Sequence, residues 1–192
     1  MQFKNGLGCR TLNIPNFVTY ARIALIPIFV VAFYLPFQYS NYAAAIIFCI
    51  AAATDWLDGF LARQLKQTSK FGAFLDPVAD KLLVACAYLL IAVEFHNFWI
   101  TIPAMVIVCR EIAISALREW MAEVGQRTKV SVSIWGKVKT VLQLAAIIVL
   151  VSQPSDLKLP LVWAGIGLMY LAAFLTLWSM LKYIKAASSS LK

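Results

Sequence analysis

Six apolar runs, each long enough to cross a bilayer, limit what this chain can fold into more than any other feature. They lie at Phe17–Phe37, Tyr42–Leu61, Phe71–Val93, Phe98–Leu117, Ile134–Val151 and Leu159–Tyr183. A bilayer core takes about 20 apolar residues per helix, and backbone polar groups inside it must be satisfied within the helix itself. The runs predict an all-α polytopic membrane protein with six transmembrane helices. Of 192 residues, 62% are hydrophobic and only 14% charged, against about 25% charged in an ordinary soluble domain. A soluble enzyme, a disordered tail and a secreted disulfide scaffold do not fit that balance. The first run is too long for the apolar region of a signal peptide and carries Arg22, so it is read as a spanning helix. No linker or repeat divides the chain. It reads as one domain over 1–192, with a juxtamembrane segment at 1–16, a six-helix bundle at 17–184 and a tail at 185–192.

The cations orient the runs. The net charge of +8 is concentrated before helix one (Lys4, Arg10), after helix two (Arg63, Lys66, Lys70), after helix four (Arg118, Arg127, Lys129, Lys137, Lys139) and at the C-terminal end (Lys182, Lys185, Lys192). The opposite loops hold only Lys158. Lys and Arg gather on the cytoplasmic side, so both termini are expected there, and the charge does not call for nucleic acid. Trp99, Trp120, Trp135 and Trp163 fall near run ends, where an interfacial belt or plain packing would put them. Cys9, Cys49, Cys86 and Cys109 form no C-x-x-C pair, and three lie in apolar runs, which suits small buried hydrophobes better than zinc or disulfides. His96 is the single histidine and sits in a far loop.

Against this background the carboxylates are misplaced. Four of the five aspartates, Asp55, Asp58, Asp76 and Asp80, fall where helix two ends and helix three begins. Each costs about 2.5–3.5 kcal/mol at mid-bilayer on insertion scales, and together they repel. A hard divalent cation such as Mg²⁺ or Mn²⁺, which prefers oxygen ligands, would justify the cluster. Asp55, Asp58, Gly59, Ala62 and Arg63 are spaced i, i+3, i+4, i+7 and i+8, one helix face, and Gly72, Asp76 and Asp80 share another. A short loop makes the two helices antiparallel neighbours, so these faces can meet. Gly59, Ala62 and Gly72 remove bulk there and admit a close approach.

The string Asp55-x-x-Asp58-Gly59-x-x-Ala62-Arg63, eight residues, then Gly72-x-x-x-Asp76-x-x-x-Asp80 resembles the signature of the CDP-alcohol phosphotransferase family at every fixed position. Flanking residues extend the resemblance over nearly the whole chain: Asn13-Ile14-Pro15-Asn16 with Thr19 and Arg22, the stretch from Phe71 to Lys81, Arg110-Glu111, Arg118-Glu119-Trp120 and Gly136-Lys137-Val138-Lys139-Thr140. They are similar to the bacterial branch that uses glycerol 3-phosphate. Only Lys4–Leu12 departs, as an insertion-like stretch. The resemblance implies a six-helix enzyme of the bacterial inner membrane, often a homodimer. Such an enzyme displaces CMP from CDP-diacylglycerol with the alcohol of glycerol 3-phosphate. It further implies two divalent ions, Mg²⁺ or Mn²⁺, on Asp55, Asp58, Asp76 and Asp80. Asp80 would be the general base, and Gly59, Ala62, Arg63 and Gly72 would line the CDP pocket.

The chemistry suits these residue types. Charge grows on the phosphoryl and leaving oxygens and calls for cations, while a carboxylate can take the proton of an attacking hydroxyl. Arg63 can fork onto pyrophosphate oxygens. Arg110, Arg118, Lys137 and Lys139 are candidate receivers of the acceptor phosphate. The plainer use of Arg110 is a structural pair on Glu111's helix or with an aspartate. For Lys137 and Lys139 it is a cytoplasmic flank, and for Arg118 and Lys81 snorkelling. Rival readings are a sister enzyme acting on serine, inositol phosphate or a second phospholipid, an intramembrane prenyltransferase, a histidine phosphatase, or a cation transporter. Aspartate spacing disfavours the prenyltransferase, a lone misplaced histidine the phosphatase, and the missing repeat the transporter.

Overall fold

The structure, a computed structural model, describes the backbone of residues 14–65, 70–123 and 134–188 and the side chains of 20–54, 75, 77–121 and 138–181. The Lys4–Leu12 stretch, the side chain of Trp135 and the last residues of the tail lie outside them. The described residues form six helices and no strand: α1 (Ile14–Tyr34), α2 (Ser40–Leu65), α3 (Lys70–Phe95), α4 (Phe98–Glu123), α5 (Ile134–Ser152) and α6 (Pro160–Ser188).

Local chemistry sets the ends. Helix α1 stops at Tyr34 because Pro36 pushes Leu35 out of the helical region. Between α3 and α4 the chain reverses in two residues. His96 adopts φ 45°, the left-handed conformation that ends helices. The Asn97 side chain then accepts the backbone N–H of Trp99 at 2.9 Å and caps α4. His96 is thus a backbone device on the surface. Pro160 opens α6, where its missing N–H costs nothing.

The helices form a ring in which α1 touches α2, α2 touches α5, α5 touches α6, α6 touches α4, α4 touches α3 and α3 returns to α1, while α3 also reaches α2 and α5. The core runs through Phe29, Phe48, Leu83, Ile91, Ile107, Ile147 and Met169, all nearly or fully buried, with the Phe29 and Phe48 rings 5.7 Å apart. Two bonds join the loops at one end. Asn41 Nδ2 donates to the Gln153 carbonyl at 2.7 Å, and Ser155 Oγ donates to Glu94 at 3.1 Å. The α1–α2, α3–α4 and α5–α6 connections therefore share an end, and the α2–α3 connection lies at the other.

The outer surface is apolar. Ile28, Val31, Ile46, Leu89, Met105, Val141, Phe174 and Trp178 each expose 50% or more of their area outside the bundle. A water-soluble monomer does not carry an apolar exterior of this extent. Helices α4 and α6 are long and apolar enough to cross a membrane over Phe98–Met121 and Pro160–Leu181. At the looped end Trp99, Trp163 and Tyr170 border an apolar groove of about 530 Å³. The Trp163 indole donates to the Leu157 carbonyl and the Tyr170 hydroxyl to that of Trp99, each at 2.8 Å. Apolar ring and satisfied polar tip are the pattern of an interfacial belt.

Gly165 of α6 lies tight against α5: a methyl group there would stand 2.8 Å from Leu150 Cγ and 3.0 Å from Val149 Cγ1. At Gly167, two residues on, nothing lies within 4 Å. Gly165→Ala should cost about 1–3 kcal/mol by overpacking. Gly167→Ala should be neutral or stabilise by up to about 1 kcal/mol through helix propensity. Thermal unfolding of the two variants in detergent micelles checks the pair: a fall in midpoint for Gly165→Ala and none for Gly167→Ala.

Candidate active site

All eight positions of the aspartate string lie on the last turns of α2 and the first turns of α3. Asp55 stands ten residues before Leu65 and Asp80 ten residues after Lys70. At a rise of about 1.5 Å per residue, both are about 15 Å in from the end where the two helices join. Asp58 and Asp76 are seven and six residues from the same end, each about 10 Å deep. Because α2 and α3 are in contact, the string sits as two pairs of matching depth on neighbouring helices. The side chains of Asp55, Asp58, Gly59, Ala62, Arg63, Gly72 and Asp76 lie outside the described residues. Among the described residues no group of three or more metal-ligating side chains occurs.

Asp80 is described. It is half-buried and lines a cavity of about 60 Å³ together with Lys81 and Val84 of α3, Glu111 of α4, and Thr140, Gln143 and Leu144 of α5. This part of the bundle is polar on several helices at once. Arg110 NH1 donates to Glu111 Oε1 at 3.1 Å, and its NH2 donates to Ser179 Oγ on α6 at 2.5 Å. Lys139 Nζ reaches the same Glu111 oxygen from α5. Lys81 Nζ donates to Ser115 Oγ one turn further along α4.

The charges sit deep. The side chains of Arg110 and Lys139 are 6% and 7% exposed and that of Glu111 is 22%. An uncompensated ion at such a place is expensive, and one carboxylate serving two cations leaves the trio with a single net positive charge. Arg22 of α1 is fully buried as well.

The candidate acceptor cations therefore divide. Arg110 and Lys139 come together across α4 and α5 on Glu111. Arg118 lies eight residues beyond Arg110, exposed, toward the end where α2 joins α3. Lys137 lies in the first turn of α5, and its side chain lies outside the described residues. Three polar groups of this region escaped the sequence reading. Gln143 is 4% exposed, Thr176 is fully buried, and Ser179 receives Arg110. The available signal was spacing: Lys139 and Gln143 are four apart and share a helix face. A lone Gln in an apolar run invites no such reading without the position of α4.

The backbone thus places the aspartate string at the joined ends of α2 and α3, with a buried polar layer bordering Asp80 and an apolar exterior around the bundle. Residues 12–178 match the family described as CDP-alcohol phosphatidyltransferase, and the chain belongs to that family. It is 54% identical over 180 residues to a protein of Sodalis glossinidius (strain morsitans), covering 94% of this chain and 97% of the other. It is 55% identical over 182 residues to one of Escherichia coli (strain K12), covering 93% and 97%. A protein of Shigella flexneri serotype 5b (strain 8401) is 54% identical over the same length. All three are named CDP-diacylglycerol–glycerol-3-phosphate 3-phosphatidyltransferase.

Glu111 carries a structural consequence of its own. Glu111→Ala removes the shared partner of two buried cations and should lower stability by about 3–5 kcal/mol. Thermal unfolding in micelles should show the loss, and Glu111→Ala with Lys139→Met should recover part of it by removing one of the orphaned charges.

Proposed function

We propose that this protein transfers the phosphatidyl group of CDP-diacylglycerol to glycerol 3-phosphate, releasing CMP and phosphatidylglycerophosphate. The observation that carries the reading is the complete eight-position aspartate string on the joined ends of α2 and α3, in a chain 54–55% identical to enzymes of that name. All six helices span the bacterial inner membrane as one domain, with both termini and the site on the cytoplasmic side, and the protein works as a homodimer. A surface site suits reactants of opposite solubility, since the donor is a lipid while the acceptor and CMP are dissolved.

Asp55, Asp58, Asp76 and Asp80 would hold two divalent ions, Mg²⁺ or Mn²⁺. Their hard oxygen donors suit such ions, and matching depth on two touching helices allows one shared site. When bound, the ions supply positive charge to the phosphoryl and leaving oxygens. The remaining work belongs to the chain. Gly59, Ala62 and Gly72 leave room for the CDP moiety, and Arg63 pairs with its pyrophosphate. Asp80 takes the proton of the acceptor hydroxyl as its oxygen bonds to the β-phosphorus. The bond from that phosphorus to the CMP oxygen breaks, and CMP departs with the electron pair. Arg118 and Lys137, near the open end, draw in the acceptor phosphate, and Arg110 and Lys139 receive it deeper.

Purified protein in micelles containing CDP-diacylglycerol should release CMP with glycerol 3-phosphate and not with serine. A chelator should abolish the release. Preferential turnover of serine would move the assignment to a sister enzyme, and full activity in chelator would remove the metal reading. Asp58→Asn should lower turnover by orders of magnitude. Asp80→Asn should lose turnover while retaining donor binding. Arg118→Ala removes a charge-assisted bond worth about 1.5–3 kcal/mol, so the KM for glycerol 3-phosphate should rise about 10–150-fold at unchanged donor KM. An unchanged acceptor KM would exclude Arg118 from the acceptor site.

A further inference from the structure

We propose that the cavity beside Asp80 is a hydroxyl-recognition subsite, in which Gln143 reads the middle hydroxyl of the glycerol phosphate acceptor. The inference rests on the acceptor assignment above and names the group that would distinguish this acceptor from a simpler alcohol phosphate.

Gln143 is 4% exposed, and its Nε2 is buried with no hydrogen-bond partner among the described residues. A buried amide donor left unpaired costs free energy, and native structures almost always supply a partner. The cavity that Gln143 lines is where that partner can sit. At about 60 Å³ it is too small for a nucleotide or an acyl chain and large enough for a carbon bearing a hydroxyl. Its wall is divided in the same sense. Val84 and Leu144 present carbon, while Glu111, Thr140 and Gln143 present polar groups.

A hydroxyl is the ligand chemistry such a wall fits. It donates and accepts through one atom, so it can take the N–H of Gln143 while giving its own proton to the Glu111 carboxylate. A phosphate would meet the Asp80 and Glu111 carboxylates on the wall against the single ammonium of Lys81, which already donates to Ser115, and a cationic amine has no use for an amide donor. Position supports the same reading. Asp80, the proposed base for the attacking hydroxyl, borders the cavity, so a hydroxyl on the adjacent carbon can enter it. Lys139, proposed above to receive the acceptor phosphate, lies four residues before Gln143 on the same helix face.

The test compares two acceptors on the intact protein in micelles. One is glycerol 3-phosphate. The other is 3-hydroxypropyl phosphate, which keeps the attacking hydroxyl and the phosphate and lacks the middle hydroxyl. The parent should favour glycerol 3-phosphate in kcat/KM by about 10–100-fold, the size expected when buried polar groups lose their partner. In Gln143→Met and Gln143→Leu the ratio should fall to within about threefold, because the discriminating group is gone. A ratio that stays at the parent value in a folded variant overturns the inference, and so does a parent ratio near one. Should neither variant show a thermal unfolding transition, the parent ratio alone decides. No CMP release from glycerol 3-phosphate in the parent overturns the acceptor assignment itself, an outcome distinct from loss of selectivity between two working acceptors.

Discussion

Charge held in a place without water is the constraint on which this structure turns. Glu111 accepts Arg110 from its own helix and Lys139 from α5, while Arg110 also reaches Ser179 on α6. Three helices are thereby tied at one depth by groups that none could bury alone. In a bundle whose exterior carries many large apolar side chains, the usual distinction between inside and outside gives helices little reason to choose a rotation. Polar partners supply that reason, since an ion turned outward would meet hydrocarbon. The same polar layer borders Asp80, so fixing the rotation of α4 and α5 also shapes the wall of the reaction site.

The helices were legible because their pattern is one-dimensional. Six apolar runs foretold six helices, and their edges differ from the observed ends for identifiable reasons. The run ending at Leu61 stops two residues short of Arg63, while α2 continues through it to Leu65. Likewise α4 passes Leu117 and carries Arg118 and Glu119 before ending at Glu123. A helix does not stop where hydrocarbon stops, because backbone hydrogen bonds are indifferent to the polarity of the side chains they carry. The error at α1 has the opposite sign: the apolar run reaches Phe37, and Pro36 ends the helix at Tyr34.

The site was legible only in its local part. The aspartate string could be read because its members lie on two adjoining helices and their spacing is fixed by the helical turn. Lys139 meeting Glu111, twenty-eight residues away, could not be read, because it depends on how α4 and α5 are rotated. Sequence reasoning set Arg110 beside Arg118 on one face of helix four and Lys139 beside Lys137 at the entry to helix five, whereas the structure brings Arg110 and Lys139 together on Glu111. Gln143 offered only its spacing from Lys139, which means nothing until α4 is placed opposite. Its importance comes from the cavity opposite it, a property of three helices.

The two-residue reversal at His96 and Asn97 has a consequence for how the chain could change. Asp80 lies fifteen residues before Phe95 and Glu111 thirteen residues after Phe98, so both stand about 20 Å from the turn, one on each limb. Adding one residue to either limb would swing everything beyond it by about 100°. That would carry Asp80 or Glu111 out of the cavity they share. The longer connections at 35–39 and 153–159 have slack to absorb an extra residue, whereas this one has none. The arms of α3 and α4 thus behave as a caliper of set length, in which substitutions are admissible but insertions and deletions are not.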